Sequence, residues 1–223
     1  MTIYGIIIAS MIITVTMLHR HEFASNEKGI HFWKPLSSTL MTFLLIASFF
    51  QADSFRTEYT LSLLIGILLS FGGDMSLMFM NRSKKAFKIG LVLFLAGHIA
   101  YAIAFTSFSG FYSQDWISGA ILFVAGMAIY LYLFPGLGDL KVPVLFYVMI
   151  ISLMVNRAVS VFYGDFFSQA QAYLITGGAV LFYISDVILA LGRFRHTWRY
   201  GRINLAFYYS GQALIALSAG FFD

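Results

Sequence analysis

Eight long apolar runs joined by short polar loops dictate most of what this chain can become. They lie at roughly 3–18, 35–50, 59–80, 87–106, 116–134, 142–162, 169–192 and 204–221. A hydrocarbon core ~30 Å thick needs about 20 apolar residues per crossing helix. The pattern therefore predicts an all-α polytopic membrane protein, an eight-transmembrane-helix bundle forming one domain over 1–223. Only 11% of the 223 residues are charged, while 60% are hydrophobic and the mean hydropathy is +0.82. That composition cannot cover a soluble domain with a polar surface. The chain has no Cys, which excludes disulfides, thiolate nucleophiles and Cys-ligated metals. No Lys or Arg precedes the first run and no small-x-small cleavage site follows it, so it is expected to remain as a membrane helix.

The cations sort by loop. Arg20, Lys28, Lys34, Arg82, Lys84, Lys85, Lys88, Lys141, Arg193, Arg195, Arg199 and Arg202 flank the connections between runs one and two, three and four, five and six, and seven and eight. The opposite side holds Arg56, and Arg157 falls inside the sixth run. Positive loops stay cytoplasmic, so both termini are expected on the non-cytoplasmic side. Bare loops and minimal termini suggest a bacterial cytoplasmic membrane. The net charge of +4 is spent on topology rather than on nucleic acid.

Two carboxyls break the apolar pattern: Asp74 in Phe71-Gly72-Gly73-Asp74 and Asp186 in Tyr183-Ile184-Ser185-Asp186. Acids inside membrane spans are costly and normally face the bundle interior, where they mark a pathway or a reaction site. Asp74 precedes Arg82 by eight residues and Asp186 precedes Arg193 by seven, which places both carboxyls roughly 10 Å below the basic interface. Two carboxyls at one depth can share a site, one neutral and one ionised, an arrangement suited to general acid chemistry. A faint internal repeat supports that sharing. Gly73-Asp74 and Gly97-His98 align with Ser185-Asp186 and Gly211-Gln212, and Lys34-Pro35 has a looser echo in Lys141-Val142-Pro143. A parallel 4+4 pseudo-repeat follows, with its axis along the membrane normal.

Other polar residues in the spans are candidates with plain structural alternatives. His98 and Tyr101 share a face of the fourth span, and Tyr208, Tyr209 and Gln212 stand near the Asp level in the eighth. All of them suit either substrate contact or interhelical hydrogen bonding. Lys34 suits a lipid phosphate or simple snorkelling to the interface. Pro35 fits a first helical turn. Arg157 is expected to reach outward toward Asp165. His19, His21, Glu22 and His31 read as a solvated loop, and a single intramembrane His argues against a three-histidine zinc site.

The ordered set Lys34-Pro35, Gly73-Asp74, Gly97-His98 with Tyr101, Ser185-Asp186 and Tyr208 to Gln212 resembles the YhhN-like lysoplasmalogenase family of integral membrane proteins. The resemblance covers essentially the whole chain. It implies hydrolysis of the vinyl ether bond of lysoplasmalogen to a fatty aldehyde and glycerophospho-ethanolamine or -choline, with a lysophospholipid as substrate. On that reading Asp74 and Asp186 are catalytic. Lys34, His98, Tyr101, Tyr208 and Gln212 bind substrate or water, and no metal or organic cofactor is required. The competing class is a proton-coupled carrier built on the same aspartates. A carrier alternates access between the two sides; a hydrolase opens to one side or to the membrane and releases product.

Overall fold

Polar caps, rather than the ends of the apolar runs, set where several helices begin. In a computed structural model describing residues 3–195 and 201–222, Asn26 accepts the Gly29 amide at 3.2 Å and Ser83 accepts that of Ala86 at 3.2 Å. Ser168 and Gln171 form a reciprocal capping box. Among the described residues there are eight α-helices: α1 (Ile3–Phe23), α2 (Glu27–Phe49), α3 (Thr57–Leu77), α4 (Lys84–Ser109), α5 (Asp115–Leu133), α6 (Lys141–Ser160), α7 (Gln169–Phe194) and α8 (Asn204–Leu217). Seven of these are long and apolar enough to cross a membrane. The eighth has 14 residues, with 3₁₀ turns at Gly201–Ile203 and Ser218–Gly220. At about 1.5 Å and 2.0 Å per residue the combined segment reaches about 33 Å, enough to span.

The sequence places the second span too late. Capping by Asn26 starts α2 eight residues before the expected 35, so Pro35 lies inside the helix and not in its first turn. Helix α1 likewise continues through His19, His21 and Glu22, residues expected in a loop. The basic Arg199 and the terminal Met1, Thr2 and Asp223 lie outside the described residues.

The pattern of neighbours repeats. Helix α1 packs on α2, α2 on α3, α3 on α4, and α4 on α6; α5 packs on α6, α6 on α7, α7 on α8, and α8 on α2. Exchanging each helix with the one four positions on maps every contact in the first set onto one in the second. Hydrophobic drive between helices is absent in lipid, so close backbone approach and interhelical hydrogen bonds hold such bundles together. Both hairpins use glycine for that approach, at matching positions. A Cβ at Gly97 of α4 would lie 3.3 Å from the Gly66 carbonyl of α3. One at Gly211 of α8 would lie 2.6 Å from the Gly178 carbonyl of α7. Gly66 precedes Asp74 by eight residues and Gly178 precedes Asp186 by eight. The hairpin crossings therefore present the two carboxyls in the same register.

At the end of the bundle away from the basic loops, buried Arg157 turns to Asp115 and not to Asp165. Its Nη1 donates to Asp115 Oδ2 at 2.7 Å, and its other terminal nitrogen reaches the Gly110 carbonyl. Asp115 opens α5 and is the nearer carboxylate once α5 packs on α6. The arrangement fastens the α4–α5 connection to α6.

Candidate active site

Asp74 is buried, with 2% of its surface exposed, and is surrounded by donors. Lys34 of α2 stands 3.5 Å from Oδ1. Ser38 and Tyr208 donate to Oδ2 at 2.8 Å each, and Tyr209 approaches it at 3.5 Å. A fully buried carboxylate is tolerated when such a cation and hydrogen bonds replace water. Asp186 is held more sparingly. Tyr147 of α6 donates to its Oδ2 at 2.5 Å, and His98 Nε2 of α4 lies 2.9 Å from the same oxygen. Its Oδ1 has no protein partner among the described residues, and 13% of the side chain is exposed.

The two arrangements correspond through the repeat. Asp74 on α3 is bound by α2 and α8; Asp186 on α7 is bound by α6 and α4. Each carboxyl is thus bound by one helix of its own half and one of the other. Phe182, four residues before Asp186, sits edge-on to His98, Phe94 and Tyr208 and so joins the two settings.

Two cavities meet here. A polar one of about 920 Å³, partly open to solvent, runs from Ser25, Asn81, Arg82 and Arg202 at the basic end down to Lys34, Asp74, Tyr208 and Asp186. An apolar one of about 690 Å³ lies among α3 to α7 and is lined by residues such as Leu91, Ile129, Val144 and Val187. Leu77, Phe94, Asp186 and Leu189 line both. Among the described residues Asp186 is the one ionisable group common to the two, and Asp74 lines the polar cavity alone.

Of the residues singled out in the sequence, Lys34, Asp74, Asp186 and Tyr208 line the polar cavity. His98 is fully buried behind Asp186. Tyr101 and Gln212 line neither cavity; the Tyr101 hydroxyl donates to Gln212 Oε1 at 2.6 Å and ties α4 to α8. Sequence reasoning missed Tyr147, Ser38 and Glu22. The repeat carries a signal for the first two: Ser38 lies three residues after Pro35 and Tyr147 four after Pro143, each facing the carboxyl of its own half.

The YhhN family model matches residues 29–219. The chain belongs to the YhhN family. Among curated relatives, it is 29% identical over 199 residues to a "Lysoplasmalogenase homolog" of Dictyostelium discoideum, covering 73% of this chain and 64% of that protein. It is 32% identical over 158 residues to "Lysoplasmalogenase TMEM86A" of Bos taurus, covering 70% and 63%. The chain thus spans a little under two thirds of the length of these relatives. No solved structure matches it. The family match takes in every candidate residue of both carboxyl settings, from Lys34 to Gln212.

Proposed function

We propose that this protein hydrolyses the vinyl ether bond of lysoplasmalogens, with Asp186 as the general acid. The observation that carries the reading is the position of Asp186 where a polar and an apolar cavity join. A lysoplasmalogen has its vinyl ether only a few bonds from its phosphodiester, at the same kind of boundary. The head group occupies the polar cavity near Lys34, and the alkenyl chain lies in the apolar one. The names of the relatives support the same substrate class.

Protonated on Oδ1, Asp186 delivers its proton to the alkene carbon beta to the ether oxygen. The double bond's electron pair forms the new C–H bond and leaves an oxocarbenium ion at the carbon bearing oxygen. Tyr147 and the His98 Nε2–H bind the charge appearing on Asp186 Oδ2, so the site favours the transition state over the bound substrate. Asp74, ionised against Lys34, supplies fixed negative charge in the cavity, as a second carboxylate does in glycoside hydrolysis. Water then adds to the cation and its proton returns to Asp186. As the hemiacetal breaks its bond to the glycerol oxygen, Asp186 gives that oxygen a proton and takes the hemiacetal hydroxyl's proton in return, leaving a fatty aldehyde and a glycerophosphodiester.

The whole eight-helix bundle acts as one membrane domain on this reading. The polar cavity opens to the cytoplasm of a bacterial cell, and both termini face away from it. The test is aldehyde release from lysoplasmenylethanolamine by purified protein. Asp186→Asn and Asp74→Asn are each expected to lose most turnover while remaining folded. Near-normal turnover in Asp186→Asn would remove that residue from the chemistry.

A further inference from the structure

The polar cavity carries both signs of charge from its mouth to its floor. Arg82 and Glu27 pair at the rim through two contacts, with Nε to Oε1 at 3.2 Å; both side chains are more than half exposed. Arg202 and Glu22 pair deeper, Nε to Oε2 at 3.2 Å, with Glu22 only 8% exposed. Lys34 and Asp74 pair at the floor. A pocket for a bare anion would carry an excess of cations, whereas among the described residues this lining has three cations against four acids.

The two glutamates differ in what they have left to offer. Glu27 engages both oxygens with Arg82. Glu22 uses Oε2 alone, and its Oε1 has no partner among the described residues. Glu22 is therefore a largely desolvated carboxylate with a free oxygen, beside a guanidinium suited to phosphate. Quaternary ammonium groups have no N–H to donate and are instead held by aromatic faces. Among the described residues the aromatic side chains lining this cavity, Phe94 and Tyr208, lie with the aspartates: Tyr208 bonds Asp74, and Phe94 stacks edge-on against Tyr208.

We infer that Glu22 reads the head group, accepting a hydrogen bond from the primary ammonium of a phosphoethanolamine whose phosphate lies on Arg202, so that the site selects ethanolamine over choline head groups. The inference rests on the hydrolase reading for the substrate's class and adds the head-group choice.

The experiment compares kcat/KM for aldehyde release from ethanolamine and choline lysoplasmalogens of one chain length, using the full chain. Wild type is expected to favour ethanolamine by ~10- to 150-fold, the worth of one hydrogen bond to a charged group. Glu22→Gln is expected to bring the ratio toward one, and Glu22→Asp to keep the preference. Equal or reversed preference in wild type, or a ratio unmoved by Glu22→Gln, overturns the proposal. A second arm needs no turnover: saturated alkyl-ether lysolipids with the two head groups are compared by thermal stabilisation of the protein. Greater stabilisation by the ethanolamine lipid, lost in Glu22→Gln, supports head-group reading even if aldehyde never appears, in which case only the hydrolase reading fails. Equal stabilisation by both lipids sinks the head-group proposal.

Discussion

Replacing Tyr147 with Phe removes one hydroxyl and no ring, which isolates the contact to Asp186 Oδ2. That bond is 2.5 Å long, and its partner at the same oxygen is His98 at 2.9 Å. If Asp186 gives up its proton in the slow step, charge develops on Oδ2 and the Tyr147 bond strengthens as it does so. A hydrogen bond to a charged group contributes about 1.5–3 kcal/mol. At 1.36 kcal/mol per decade of rate, Tyr147→Phe should lower kcat about 10- to 150-fold with little change in KM. The assay is steady-state aldehyde release from lysoplasmenylethanolamine in detergent. The deciding comparison repeats the substitution in an Asp186→Asn background. Tyr147 acts through Asp186, so removing it there should cost almost nothing further. A kcat within twofold of wild type, or the same loss in both backgrounds, would refute the reasoning.

Other consequences follow from the same geometry. Lys34→Met leaves the Asp74 carboxylate buried without its cation and should cost roughly 3–5 kcal/mol, read as a lower unfolding midpoint in detergent. Gly178→Ala drives a methyl group to 2.6 Å from the Gly211 carbonyl and should destabilise the α7–α8 hairpin by about 1–3 kcal/mol, checked by the same unfolding measurement. Leu189→Trp puts a larger side chain where the two cavities join. It should lower kcat/KM for a long-chain substrate roughly tenfold, the cost of expelling about two methylenes, with stability held.

What the sequence revealed, and what it hid, divides along a physical line. Span number and the Asp74 and Asp186 pair are local signals, because a long apolar run and an acid within it need no tertiary information to be noticed. The shared cavity was anticipated from the equal spacing of the carboxyls to the basic loops, and both residues do line it. Helix rotation was not legible. Tyr101 and Gln212 sit at suitable depth yet point to one another, while Tyr147 looks like ordinary apolar filling until α6 is seen to face Asp186. Glu22 was hidden for a different reason: the Asn26 cap lies close behind it, so a helix end resembled a loop. Arg157 was matched to the nearest acid in sequence, whereas packing of α5 on α6 supplies Asp115.

The most direct measurement is a structure of the protein with a saturated alkyl-ether lysophosphoethanolamine, which lacks the double bond and cannot be cleaved. The account requires the chain carbon beta to the ether oxygen beside Asp186 Oδ1, the chain among Leu91, Ile129 and Val187, and the phosphate toward Lys34 and Arg202. An ether placed away from Asp186, or a chain lying outside the apolar cavity, would contradict it.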